Sequence, residues 1–582
     1  FPEVQQVTRI RNTGTSLLNY KEESFKVKKT AYADSTLFDV FTIPLKKGDP
    51  RKALTEPNSI IIDETTAHKI FGKEDALGKN LVLDNNATFK VTGVFKDIPE
   101  NSHFHHSAFF SMVSINNLLN QQGWLSHNFH TYVVLNENAS QAALAAKFPE
   151  MIRKYIGPLV QQALGASIDE LKKKGNDIVY HLQPVKDIHL HSSLYGELEA
   201  NGDIKYVYIF SAIAFIILLI ACTNYMNLAT ARSTERAKEV GIRKSVGALR
   251  SQLLFQFLSE SMLLSVLSLM LAIGLVEICL PAFNYLADKP LTSSYWGNGP
   301  LLITISGIIL IVGILSGAYP AFILSSPDPA KVLKGNMNSG LKGGSLRSTL
   351  VVVQFAVSIF LMVGTGVIYK QLKYIRNVNT GFQREQLLTI HDTYTLGKQA
   401  HTFKEEILQN TIFKSATVSS FLPVPSNRST DSYQSKEQQA SNQTFIMQRW
   451  SVDYDYLKTL GMEVIQGRFF SPDFPSDSSA IVINESVVKQ LGYENPIGER
   501  ILQMGGNQWY TIIGVVKNFN FESLRDNVGP LAMLLENDRG AITFRMEGKK
   551  ASDAIALLKN KWDKMAPGQP FNYSFLDDRF NS

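Results

Sequence analysis

Residues 206–225 read YVYIFSAIAFIILLIACTNY, and no charge interrupts them. A helix rises about 1.5 Å per residue, so ~20 apolar residues cross a hydrocarbon layer of ~30 Å. Runs of the same kind recur at 262–280, 301–324 and 350–369, with Glu277 their only charge. Four spans are expected there, because four such runs within ~165 residues could not all be hidden in soluble cores.

Orientation follows from the loops, since Lys and Arg beside a span favour the cytoplasm. The loop after the first run carries Arg232, Arg236, Lys238, Arg243, Lys244 and Arg250, and the loop after the third carries Lys331, Lys334, Lys342 and Arg347. Both loops are placed inside. The loop between the second and third runs, with Asp288, Lys289, Tyr295 and Trp296, suits the outer interface. An even number of spans then puts residues 1–204 and 373–582 on the same outer side. The expected fold is α+β: a four-helix transmembrane bundle over 205–372 flanked by two homologous α/β domains.

Composition agrees with a mixture of polar and apolar parts. At roughly 100 to 200 residues per domain, a chain of this length holds about three to five units. Lys and Arg total 58 against 52 Asp and Glu, and charged residues are 19% of the chain. That is no nucleic-acid footprint, so no nucleic-acid partner is expected. Both cysteines, Cys222 and Cys279, sit inside apolar runs, which argues against a disulfide, a redox pair or a cysteine zinc site.

The two flanking segments repeat each other. Ser59-Ile60-Ile61-Ile62-Asp63-Glu64 corresponds to Ala480-Ile481-Val482-Ile483-Asn484-Glu485, Leu77-Gly78-Lys79 to Ile497-Gly498-Glu499, and Phe89 to Lys96 corresponds to Tyr510 to Lys517. Each copy reads as a β-branched strand, a helix, a turn glycine and a second β-branched strand ending near Gly93 or Gly514. Further strands are expected at His130 to Leu135 and Ala541 to Arg545, and amphipathic helices at Ala139 to Ile156 and Ala551 to Met565. One span precedes the second segment and three follow the first. If span, segment and three spans form the unit, the whole protein has eight spans, one before Phe1 and three after Ser582.

No motif seats catalysis or a cofactor. Gly72 to Asn80 has one residue too many between its glycines for a phosphate loop, lacks the magnesium-binding Ser or Thr, and precedes a strand. His103, His105 and His106 lie close together, and His189 and His191 alternate as on one face of a strand, without a completing metal set. They are expected at the surface or between strands, with no metal. No Gly-x-Ser-x-Gly elbow occurs.

The inner segment 229–252 continues the first span and is interrupted by Gly241 and Gly247. Ile242, Val246 and Leu249 fall at i, i+4 and i+7, an apolar stripe on a short helix whose other face carries Arg243, Lys244 and Arg250. On composition this suits an interfacial helix lying under the lipid; the functional alternative is a docking helix for a cytoplasmic partner. Within the bilayer, Gly313 and Gly317 permit close helix approach, and Pro320 removes one backbone hydrogen bond beyond them. Asn224, Asn227 and Gln354 are expected to face protein as helix-to-helix glue.

Thr223-Asn224-Tyr225-Met226-Asn227, followed by Ser233 to Ala248 (STERAKEVGIRKSVGA), resembles the signature after the second span of ABC transporter permeases of the MacB/FtsX type. Tyr319-Pro320-Ala321-Phe322 with Val332-Leu333-Lys334-Gly335 is similar to the end of the fourth span in eight-span members, and the repeated segments resemble the MacB-like periplasmic core domain. The resemblance implies an inner-membrane permease without its own ATPase. Its coupling helix, containing Glu235, Arg236, Glu239, Gly241, Ile242, Arg243, Lys244, Val246 and Gly247, would sit on a separate cytoplasmic ABC ATPase subunit. A periplasmic adaptor or a second permease copy would complete the partners beside membrane lipid. Force transmission serving export of peptides, antibiotics or lipoproteins is the implied function. The rival from another class is a membrane-anchored signalling or scaffold protein that regulates a periplasmic partner such as a cell-wall hydrolase.

Overall fold

The computed structural model describes residues 1–582 except 122–123, 125, 165–166, 174–176, 195, 232, 288–290, 292–298, 326–343, 425, 427, 442–443, 505, 523, 525–526, 537–539, 549–550 and 582. They form two compact units, Phe1–Gly202 with Ile375–Ser582, and Asp203–Tyr374.

In the first unit, one lobe holds β1 (Val4–Tyr20), β2 (Glu23–Ala33), β3 (Leu45–Gly48), β4 (Ser59–Asp63), β5 (Asn80–Leu83), β6 (Ala87–Phe95), β7 (Ala108–Ser111) and β8 (His130–Leu135). The other lobe holds β9 (Leu387–His391), β10 (Phe413–Ser419), β11 (Thr430–Ser435), β12 (Phe445–Val452), β13 (Val464–Gly467), β14 (Ala480–Asn484), β15 (Arg500–Gln503), β16 (Gln508–Val516), β17 (Leu531–Leu535), β18 (Ala541–Met546) and β19 (Tyr573–Phe575). The first sheet runs β2-β7-β4-β6-β5-β1-β8 with β1 also on β2, and β11, β15, β16, β14, β17 and β12 repeat that ring in the second lobe, with β11 also on β12. Closing the path this way leaves the ring no free edge for stray pairing. The correspondence extends to direction, because β4–β6 and β14–β16 are both parallel while β4–β7 and β14–β17 are both antiparallel.

The repeated strand is apolar throughout because both of its faces are covered. Ile60 and Ile62 enter one core and Ile61 the other; Ile481 and Ile483 enter one and Val482 the other. The strand then turns into a helix, Glu64–Phe71 or Glu485–Leu491, whose first free N–H groups need an acceptor. Asp63 accepts from Thr66 N at 2.6 Å and Asn484 from Val487 N at 3.3 Å. A feature not singled out from the sequence is the glycine pair that closes β3 on β6 and β13 on β16, Gly48 opposite Gly93 and Gly467 opposite Gly514. A Cβ on Gly48 would lie 2.5 Å from Thr92 O, and one on Gly514 would lie 2.1 Å from Arg468 O. The backbones approach too closely for any side chain at these points.

Two local expectations fail. The helix expected over Ala139 to Ile156 is broken into Gln141–Ala145, Phe148–Met151 and Ile152–Ile156, with Pro149 restarting it because proline has no N–H to continue the ladder. His189 and His191 lie on one helical turn, Ile188–His191, rather than on a strand. That turn follows directly on a 3-10 turn, Val185–Asp187, so no extended backbone is left there to pair with a strand.

The lobes touch through charge. Lys26 Nζ lies 2.5 Å from Asp392 Oδ2, which also accepts from Asn572 Nδ2 at 3.0 Å, and Tyr394 OH reaches Asp84 Oδ1 at 3.4 Å.

The second unit consists of the first membrane helix (Ile204–Ala231), an inner helix (Ser233–Ser245), and the second (Arg250–Ala287), third (Gly299–Leu324) and fourth (Gly344–Asn377) membrane helices. All four long helices are apolar enough to cross a membrane. The third packs on both the first and the second. At 38 residues the second exceeds what a ~30 Å layer needs, so its helical structure continues well beyond the apolar run.

The second lobe buries one charge cluster. Lys404 Nζ lies 2.9 Å from Asp453 Oδ2 and 2.7 Å from Asp455 Oδ2, and Asp453 also accepts from Val418 N at 2.9 Å. The Lys404 and Asp453 side chains are 4% and 6% exposed. Burial alone would lower the Lys404 pKa, but the two carboxylates carry it above its usual value. Removing one partner strands the other charge in a dry site. Lys404→Met is expected to cost about 3–5 kcal/mol in chemical or thermal unfolding, and adding Asp453→Asn to recover part of that loss.

Candidate functional site

The inner helix and the turn after it form the candidate site. Ser233 to Ser245 stays helical because a single glycine within it weakens the helix without ending it. Gly241 lies buried inside the helix rather than interrupting it as expected, and the chain turns at Gly247, whose φ is +103°. That left-handed φ strains any residue with a Cβ, which is why the helix stops there. The turn is closed by Gly247 N donating to Lys244 O at 3.1 Å and Ala248 N to Arg243 O at 3.0 Å. Leu249 N then donates to Gln252 Oε1 at 3.0 Å as the second membrane helix begins.

This break corrects the expected stripe. Ile242 is on the helix, whereas Val246 and Leu249 lie in the turn beyond its end. All three are solvent-exposed, Val246 by 84%. The buried anchor is Val240, which packs with Leu253, Phe257 and Ala321. Ile242, Arg243, Val246, Ala248, Gln252, Leu253 and Gln256 line a shallow depression of about 410 Å³.

The cations are engaged within the chain. Arg243 pairs with Glu239 Oε1 at 2.7 Å and donates to Gln256 Oε1 at 2.7 Å. Lys244 Nζ donates to the carbonyl of buried Ser325 at 2.6 Å. Glu235 and Arg236 belong to the same helix, but their side chains lie outside the described residues, as does that of Arg347. Lys331, Lys334 and Lys342, with Val332, Leu333 and Gly335, also lie outside them, together with Asp288, Lys289, Tyr295 and Trp296.

Gly313 and Gly317 face the second membrane helix. A Cβ on Gly317 would lie 2.7 Å from Ser261 Oγ and 2.8 Å from Ser261 Cβ; one on Gly313 would lie 2.9 Å from Met262 Sδ. Pro320 sits inside the third helix, which continues to Leu324. Of the polar groups expected to face protein, Asn227 and Gln354 are half-buried, but Asn224 is exposed. The polar link between helices is instead Tyr225 OH with Ser261 Oγ at 3.2 Å, made possible by the absence of a side chain at Gly317.

The histidines of the first lobe are structural in their contacts. His103 Nε2 meets Tyr132 OH at 2.8 Å, and His105 Nδ1 meets Glu199 Oε2 at 2.9 Å. Of the two settings expected, surface or between strands, His106 is not at the surface; it is 3% exposed against Phe104 and Phe109, and desolvation pushes its pKa down to about 4. Among the described residues no group of three or more His, Cys, Asp or Glu could hold a metal ion.

Residues 1–151 and 348–556 match the family described as the MacB-like periplasmic core domain, and residues 211–329 match the FtsX-like permease C-terminal family. The ABC transporter permease YvrN of Bacillus subtilis (strain 168) is 25% identical over 319 residues, 52% of this chain and 68% of that protein. The macrolide export ATP-binding/permease protein MacB of Neisseria gonorrhoeae is 24% identical over 300 residues, 51% of this chain and 42% of that protein, so the match spans less than half of that relative. The crystallised periplasmic region of MacB from Actinobacillus actinomycetemcomitans is 16% identical, with 35% of this chain and 94% of that chain covered, at a TM-score of 0.26.

Two measurements check this geometry. Gly317→Ala meets the fixed Cβ of Ser261, whereas Gly313→Ala meets the movable end of Met262. Thermal melts in detergent are expected to show Gly317→Ala destabilised by about 1–3 kcal/mol and Gly313→Ala by less. For His106, the unfolded ring takes a proton below its ordinary pKa of 6.5 and the folded ring only near 4, so protons favour the unfolded chain. Stability should fall as pH drops from 6.5 to about 4, with this group contributing about 3 kcal/mol, and His106→Phe should flatten that part of the curve.

Proposed function

Because the chain belongs to the MacB/FtsX-type ABC transporter permease family, we propose that it couples ATP hydrolysis on a separate ATPase subunit to motion of its two lobes. It is a multi-pass inner-membrane protein with periplasmic domains. The observation that carries the coupling reading is the division of labour on the inner turn. Arg243 and Lys244 are turned toward acceptors of their own chain, and Ile242, Val246 and Leu249 are left uncovered. Exposed apolar side chains around a shallow depression, set beside charges already paired, suit a protein partner better than solvent.

In this reading the ATPase seats its apolar pocket over Ile242 and Val246, with Glu235, Arg236 and Glu239 at the rim of the contact. Nucleotide-driven closure of the ATPase pushes the inner helix, the membrane helices carry the displacement, and the lobes respond. No solute pathway through the bundle is needed. Moving a two-state unit from 1:99 to 99:1 takes about 5.5 kcal/mol of differential binding, within reach of a nucleotide-driven partner. Export supplies the direction, consistent with the macrolide export function in the name of the MacB relatives, and peptides, antibiotics or lipoproteins are the substrate classes. A periplasmic adaptor or a second permease copy completes the assembly.

The test co-expresses the protein with ABC ATPase subunits and measures complex recovery and ATPase stimulation. Ile242→Asp places a charge on the apolar contact and Gly241→Pro breaks the helix that presents it. Each is expected to lower recovery at least tenfold, about 1.4 kcal/mol or more of lost association. Full recovery and full stimulation in both variants would refute the coupling role.

A further inference from the structure

The third membrane helix ends on a fastening that its own sequence does not disclose. Ser325 is fully buried, its N–H donates to Ala321 O at 3.0 Å, and its carbonyl lies just past Leu324, the last residue of the helix. The aligned peptide dipoles of a long helix concentrate partial negative charge at that end. Lys244 Nζ supplies the cation, donating to Ser325 O at 2.6 Å, and Arg250 Nε reaches Ser325 Oγ at 3.5 Å.

A second attachment lies one turn away. Val240 is buried against Ala321, and Val240 and Lys244 are four residues apart, as are Ala321 and Ser325. One face of the inner helix therefore holds one face of the third membrane helix at two points. The third helix in turn lies against the second with no side chain between the backbones at Gly317.

We propose that Lys244 is a positioning residue, a clamp that fixes the inner helix to the carbonyl end of the third membrane helix, so that inner-helix displacement also moves the third helix, which the chain does not join to it directly. The proposal rests on the coupling reading of the inner helix and adds the route that force takes beyond it. The sequence placed Lys244 among the residues that touch the ATPase. The geometry gives it to the chain itself, and leaves the ATPase the apolar side chains. A charge-assisted hydrogen bond to a buried carbonyl is short and directional, so it resists both pulling and sliding of the two helices.

The experiment uses the chain with Cys222→Ser and Cys279→Ser, carrying paired spin labels at Ile242→Cys and Phe322→Cys, both exposed positions. Without any ATPase, the native clamp and Lys244→Arg are expected to give one narrow label-to-label distance and Lys244→Ala a broadened one. In the unlabelled protein with its ATPase subunit, Lys244→Ala is expected to keep complex recovery within about twofold of native while losing tenfold or more of ATPase stimulation. Lys244→Arg is expected to restore most of that stimulation. A narrow, unchanged distance in Lys244→Ala overturns the clamp. Loss of complex recovery in Lys244→Ala equal to that of Ile242→Asp also overturns it, since Lys244 would then be a partner contact. If instead Ile242→Asp binds normally, the coupling reading fails by itself while the distance measurement still decides the clamp.

Discussion

Hydrocarbon offers a peptide group nothing to hydrogen-bond with, and that constraint arranges the rest of this chain. Each crossing must be a helix that satisfies its own backbone, and the four crossings within residues 204–377 are continuous helices. The same rule exposes the weak points. A helix end has carbonyls or N–H groups left over, and something must meet them. At the end of the third helix that something is Lys244, brought from a different part of the chain. Packing between the crossings cannot draw on the hydrophobic effect within lipid, which gives the close approach at Gly317 and Gly313 its weight.

Outside the membrane the opposite solvent rule holds, and the chain answers it twice with one design. A strand buried on both faces, a capped helix and a glycine-closed hairpin are built at Ser59–Phe95 and again at Ala480–Val516. Sheet closure removes the free edges of the ring strands in each lobe, and the second lobe adds β9, β10, β18 and β19 with helices packed over them. The contact of Lys26 with Asp392 joins the two copies of this design. An ion pair between partly exposed side chains is a weak bond, so it adds little to holding the lobes together.

The four crossings, the duplicated strand-helix-strand unit, and the strands at His130 and Ala541 were legible in the sequence because each is written in a local pattern. Apolar runs of fixed length, β-branched alternation and polar caps depend on neighbours a few residues away. The failures share the opposite character. Asn224 was expected to face protein and is exposed, while Tyr225 beside it makes the contact with Ser261, since a rotation of about 100° per residue decides which of two adjacent polar groups meets the next helix. The sequence left His106 either at the surface or between strands, and its burial comes from Phe104 and Phe109 closing over it from the same loop and strand. Gly48 and Gly467 carried no pattern of their own; their need for glycine comes from the strand each one faces.

The sequence by itself determined that this chain crosses a membrane, repeats one lobe, and carries a basic, glycine-broken segment on the inner side, because length, apolarity and local periodicity are properties of contiguous residues. Only the tertiary structure decided which of those inner residues are spoken for. Arg243, Lys244, Val246 and Ile242 are neighbours in the chain, and they divide into paired cations and uncovered apolar groups only when Gln256 and Ser325 come within reach. Partner choice is set by distance in space, and sequence spacing across 81 residues says nothing about that distance.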